Sequence, residues 1–135
     1  MNSTQLVLKS ETHSLHRKLE SHPLQRLLLS PELTEHALQR ILQAYLGFYL
    51  PLEVKLARFI PDVHPTYSFQ SPHLLRDLIA LQTDLQNLML CEQLPEVESS
   101  SDALGILYVL EGARLGGAVI SRHMKGLLPS LRMHF

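Results

Sequence analysis

Apolar positions recur every three to four residues through most of the chain, as on one face of a helix, and no run alternates as a half-buried strand would. Leucine is abundant, while valine and isoleucine are sparse. The spacing predicts a first helix from Thr4 to Glu20, with Leu8, Leu15 and Leu19 on one face, then a short helix from Leu24 to Leu29. Ser30-Pro31 reads as a restart, opening a long helix from Glu32 to Phe59. Pro51 is expected to kink or split that helix, because proline lacks the amide donor and crowds the preceding turn. Pro61 to Ser71 reads as a loop. Ser71-Pro72 then supplies a side-chain cap and a first-turn proline. The helix it opens should carry Leu74, Leu75, Leu78, Leu81, Leu85 and Leu88. Pro95 to Ser101 reads as a second loop. Ser101 or Asp102 should cap a last helix that ends near Leu128, ahead of Pro129. The expected architecture is a single all-α domain, residues 1–135, built as a bundle of five or six helices.

The last helix contains Leu107-Tyr108-Val109-Leu110-Glu111-Gly112-Ala113-Arg114-Leu115-Gly116-Gly117. Each glycine inside a helix costs about 1 kcal/mol against alanine. Gly112 and Gly116, four apart, share a face, and Gly105 lies one heptad earlier on the same side. The result is a strip of bare main chain. It suits close packing by another helix, a kink, or a platform for a flat ligand. Glu111 and Arg114 flank the strip and can pair across one turn.

In the first helix, steps of about 100° place Thr12 inside the apolar stripe, His16 on its flank and His13 near the polar side. His16 is thus the histidine able to face a half-buried cavity, with Glu20 one turn on and Lys9 two turns back. A neutral imidazole can bind iron through one nitrogen while the other is held by an acceptor, here Glu20. Lys9 or Arg17 can meet a carboxylate at the ligand's edge. The alternative is that His16 merely borders the core and Glu20 pairs with Arg17.

Composition narrows the classes. Twelve basic and 13 acidic residues give a formal charge of -1. No basic excess points to nucleic acid. The single cysteine, Cys91, precludes an internal disulfide and fits a reducing cytoplasm. The N-terminal residues lack the pattern of a secretion signal, and the apolar runs are too short to span a bilayer. The remaining histidines (His22, His36, His64, His73, His123, His134) are scattered and form no zinc-protease motif. His13 and His16 are spaced for metal, but no cysteine or carboxylate cluster completes a site.

The first helix and the glycine helix together resemble the heme oxygenase family. Thr12-His13-Ser14-Leu15-His16 matches the family's Thr-x-x-x-His, which implies that His16 binds heme iron. Glu20 matches the carboxylate that supports that histidine, and Lys9 a basic residue near the propionates. Gly112, Gly116 and Gly117 match the Gly-x-x-x-Gly-Gly segment that lies across the heme. The run from Tyr108 to Gly117 is similar to the bacterial, biliverdin-producing branch. The resemblance implies a cytoplasmic enzyme that holds heme, as both substrate and cofactor, between its first helix and the glycine helix. It implies molecular oxygen and external electrons from a reductase or ferredoxin, with biliverdin, carbon monoxide and ferrous iron as products. Gly112, Ala113 and Gly116 would then line the catalytic side.

Two departures follow. The family carries an aspartate directly after its first distal glycine, and this chain has Ala113, so another group or a different water arrangement must supply protons. The chain also stops at Phe135, short of the family's further helices, which is expected to expose an apolar groove and favour a homodimer or instability. These departures keep two alternatives in view: a heme-binding or heme-storing protein of the same fold without turnover, and a heme-free helical interaction domain.

Overall fold

The computed structural model describes residues 2–127, with the side chains of 115–121 and 127 left aside. The chain is all-α, with six helices and no strand among the described residues. It falls into two compact units, Met1–Leu33 and Thr34–Phe135.

The first unit holds α1 (Ser3–Glu20) and α2 (Pro23–Leu28). Asn2 and Gln5 close a reciprocal capping box at the start of α1, each side chain accepting the other's backbone N–H at 2.9 Å. His22 caps α2 by accepting the Leu24 N–H on Nδ1, and Pro23 fills the first position, where a missing donor costs nothing. α1 buries none of its residues: Leu15 and Leu19 are 65% and 58% exposed. The stripe expected to face a core is therefore an open apolar face.

The second unit holds α3 (Glu35–Leu56), α4 (Ile60–Val63), α5 (Ser71–Ala80) and α6 (Ser100–Leu127). α3 packs against α5 and α4 against α6. The core is leucine-rich: Leu38, Leu42, Leu52 and Leu56 of α3, Leu74 and Leu78 of α5 and Leu107 of α6 are all buried. The restart expected at Ser30-Pro31 lies in a turn. α3 begins later, at Glu35, because the Thr34 hydroxyl accepts the Ala37 N–H. The loop expected from Pro61 contains α4, which has Pro61 in its first turn.

Pro51 does not split α3, which runs unbroken through it. Without an N–H, Pro51 leaves the Gly47 carbonyl with no helical donor. The backbone N–H of Cys91 takes that place at 2.8 Å. The segment arriving there comes so close that a Cβ on Gly47 would stand 2.1 Å from the Met89 carbonyl oxygen. Gly47 is thus the glycine that a close backbone approach requires.

That segment, residues 82–99, has no helix or strand of its own. α5 was expected to continue through Leu85 and Leu88, but it stops at Ala80. Gln82 takes a left-handed φ of 54°, Gln82 N–H bonds the Ile79 carbonyl, and Thr83 N–H bonds the Leu78 carbonyl. This is a Schellman stop with glutamine where glycine is usual. The segment then runs alongside α3 as a strap. Gln39 and Gln43 donate to the Leu81 and Asp84 carbonyls, and Arg58 donates to the Val97 carbonyl at 2.8 Å. The strap ends at Ser99. The Ser99 hydroxyl accepts the Asp102 N–H, and the Asp102 carboxylate accepts the N–H groups of Glu98 and Ser99. Ser99, rather than Ser101 or Asp102, therefore caps α6, with Asp102 as the reciprocal partner. The expected end of α6 near Leu128 lies outside the described residues.

Candidate functional site

The singled-out residues of α1 lie along one exposed helix. His16 Nδ1 stands 3.3 Å from Glu20 Oε1, with both side chains about two-thirds exposed (68% and 65%). The carboxylate thus meets the histidine rather than Arg17. His16 was expected at a half-buried wall, but its ring is open to solvent, because α1 buries none of its own residues. The Thr12 hydroxyl is spent on its own helix, donating to the Leu8 carbonyl at 2.7 Å. Lys9, His13 and Arg17 are exposed.

The glycine strip belongs to the second unit and His16 to the first. At Gly105 and Gly112 an added Cβ would meet no heavy atom within 4 Å among the described residues. Neither glycine is filling a tight helix contact there. The strip is continuous with exposed apolar side chains, since Leu104, Tyr108 and Val109 are 56%, 49% and 62% exposed. Ala113 is exposed too, and its side chain carries no polar atom. Gly116 and Gly117 lie in α6, and their surroundings fall outside the described residues.

Along the border of the strip runs a polar cluster that the sequence did not reveal. Glu111 Oε1 lies 3.3 Å from His64 Nε2 and 3.3 Å from a guanidinium nitrogen of Arg114. The pairing of Glu111 with Arg114 agrees with their helical spacing. His64 comes from the far end of α4, and nothing in the sequence ties it to Glu111. The Thr66 hydroxyl stands 3.4 Å from His64 Nδ1, and the His64 ring meets that of Tyr67 edge-on at 5.8 Å.

Tyr67 leads inward to Glu53, a carboxylate buried to 3% exposure. Glu53 Oε2 accepts the Tyr67 hydroxyl at 2.8 Å and the Gln70 N–H at 2.7 Å, and Oε1 accepts the Ser71 N–H and hydroxyl. A glutamate from α3 thus caps α5, and Ser71, expected to be the cap, is a donor to it. A carboxylate at a helix N-terminus is favoured both by the free N–H groups and by the helix dipole. Burial pushes the Tyr67 phenol well above its ordinary value, and its hydrogen bond to Glu53 pushes the same way. Burial likewise raises Tyr49 to about 12, with Tyr45 and then Glu53 adding to the effect. Glu53 had a readable signal, since it continues the buried spacing Leu42, Leu46, Tyr49, Glu53, Leu56 along α3.

Among the described residues no group of three or more His, Cys, Asp or Glu side chains could hold a metal ion. A heme iron asks less of the protein, since one axial imidazole is enough. His16 fits that requirement: Glu20 engages Nδ1, and Nε2 lies on the opposite edge of the ring. No helix among the described residues is long and apolar enough to cross a membrane. No family model, curated protein or solved structure matches the chain.

Proposed function

We propose that this chain is a heme oxygenase, cleaving heme oxidatively to biliverdin, carbon monoxide and ferrous iron. The observation that carries the reading is the 3.3 Å contact between His16 Nδ1 and Glu20. An acceptor on one imidazole nitrogen fixes the ring and raises the basicity of the other, as an axial iron ligand needs. The openness at Gly105 and Gly112 among the described residues also supports it, because bare main chain flanked by Leu104 and Tyr108 is a flat apolar surface of the kind a macrocycle covers. Lys9 and Arg17 stand exposed on α1 and can answer the carboxylates at the edge of such a ligand. When bound, heme supplies the iron that activates dioxygen and the macrocycle that is opened, with electrons drawn from a reductase or ferredoxin.

The test is a hemin titration of wild type and His16→Ala, followed by the Soret band. A band that shifts on binding in wild type and is altered in the variant supports iron ligation by His16, and identical spectra remove it. Biliverdin formation with a supplied reductant then tests turnover. A second reading is favoured by Ala113, which leaves one border of the strip without a polar side chain. It is a protein that holds heme without consuming it, with the same Soret band and heme that persists under oxygen and reductant.

A further inference from the structure

The first unit, Met1–Leu33, is smaller than the roughly 40 residues below which a fold usually needs a disulfide, a metal or a partner subunit. It contains no cysteine, and among the described residues no group of three or more His, Cys, Asp or Glu side chains could hold a metal ion. α1 buries none of its 18 residues, so it draws nothing from the packing that stabilises most protein helices. Its sequence nevertheless carries a complete packing seam. Gln5, Leu8, Thr12, Leu15 and Leu19 follow one another at alternating intervals of three and four, the spacing by which two helices interlock their side chains. Leu8, Leu15 and Leu19 are 39%, 65% and 58% exposed. Thr12, the polar residue in the middle, already donates its hydroxyl to the Leu8 carbonyl, so burying it strands no donor. At about 100° per residue, Lys9, His16 and Glu20 flank the seam on one side, and Glu11 and Lys18 on the other.

We propose that this seam pairs, antiparallel, with α1 of a second copy of the chain. Leu8 of one copy then meets Leu19 of the other, and Thr12 meets Leu15, giving four interlocked layers by symmetry. The flanks select the direction. In an antiparallel pair each side of the seam faces the same side of the other copy. Glu11 therefore stands opposite Lys18, twice, and Lys9 stands opposite the neighbouring His16 and Glu20, whose side chains are in contact at 3.3 Å. A parallel pair would instead turn Glu11 toward His16, a weaker partner already engaged by Glu20, and would set the basic ends at Arg17 and Lys18 side by side. It would also align the two helix dipoles, which the antiparallel pair opposes. Four layers from one helix fall short of the roughly 800 Å² per partner of a standard interface, so the dimer is expected to dissociate on dilution. This pairing is separate from the heme reading, since it uses neither nitrogen of His16.

The experiment is analytical ultracentrifugation of the full chain without hemin, across the micromolar range. It compares wild type with Leu15→Glu, Glu11→Lys, Lys18→Glu and the double variant Glu11→Lys/Lys18→Glu. Wild type should pass from monomer to dimer as concentration rises. Leu15→Glu puts a charge into the seam and should stay monomeric, with the circular dichroism of the wild-type monomer. Each single reversal sets two like-charged pairs face to face and should weaken association about 10-fold, the scale of two exposed ion pairs made repulsive. The double reversal recreates both pairs with their signs exchanged and should restore association, a rescue that a general change in surface charge does not give. Three results overturn the proposal: a wild type that stays monomeric at every concentration, a dimer that Leu15→Glu leaves intact, or single reversals that the double variant does not rescue. The first of them leaves the apolar face of α1 to a segment of its own chain. If Leu15→Glu does not fold, the charge reversals, both at exposed positions, decide the matter.

Discussion

Cys91 donates its backbone N–H to the Gly47 carbonyl, the one acceptor in the middle of α3 that Pro51 leaves without a helical donor. Glycine and proline four residues apart thus form a docking notch for the strap. Alanine at position 47 sets a methyl group against the Met89 carbonyl at an impossible distance, so the strap must lift. Gly47→Ala is expected to destabilise the protein by about 1–3 kcal/mol despite the gain in helix propensity. Denaturant unfolding measures the loss, and faster amide exchange at Cys91 locates it. An unchanged midpoint with unchanged exchange argues against the notch.

Glu53 satisfies Tyr67, Gln70 and Ser71 together. Glu53→Ala leaves buried donors without acceptors, each costing about 1–3 kcal/mol, so a total loss of about 3 kcal/mol or more is expected. Glu53→Gln keeps one acceptor oxygen and should cost less. Thermal melts of the two variants should rank in that order.

Gln82 carries the left-handed turn that ends α5. Glycine adopts that conformation freely, whereas a side chain pays about 1 kcal/mol. Gln82→Gly is expected to raise the melting temperature by a few degrees. A drop instead means that the glutamine side chain makes a contact worth more than the strain.

Tyr49 ionises near 12 rather than 10, chiefly because it is buried. A folded value above the unfolded one contributes stability that is fully present below pH 10 and is lost as pH rises toward 12. Alkaline unfolding in that window, with phenolate absorbance appearing in the same cooperative step, is the expected outcome. Tyrosines that all titrate smoothly near pH 10 while the helical signal persists contradict it.

The open space at Gly112 separates stability from binding. Gly112→Ala meets no neighbour among the described residues and should gain up to about 1 kcal/mol of helix stability. If a macrocycle lies against that main chain, the same methyl group weakens hemin affinity. A variant more stable and equally tight in hemin binding speaks against the platform.

How far these relationships were legible depends on the range of the forces involved. Helix α1, the short α2 and the start of α5 at Ser71-Pro72 follow from local signals, so the sequence reveals them to within a few residues. The end of α5 was missed because its left-handed residue is Gln82, where glycine gives the usual signal. The delayed start of α3 turned on Thr34 outcompeting Ser30-Pro31 as a cap. The His16–Glu20 and Glu111–Arg114 pairs were readable because each spans a single turn. His64 with Glu111, and Glu53 with Ser71, were not, since they join distant segments and no local pattern encodes the distance between them. The strip was visible as glycines, but only the structure distinguishes Gly47, against which backbone is packed, from Gly105 and Gly112, against which nothing lies among the described residues.

The strap has no hydrogen-bond ladder of its own, and Gln39, Gln43 and Gly47 of α3, with Arg58 just beyond the helix end, hold it. Its shape is therefore borrowed, and it cannot acquire that shape until its template exists. During refolding, amides in the middle of α3 should become protected before that of Cys91, and a protease that nicks the strap should leave α3 helical. The order of events in assembly is thus written into one helix whose side chains do the work of a missing neighbour.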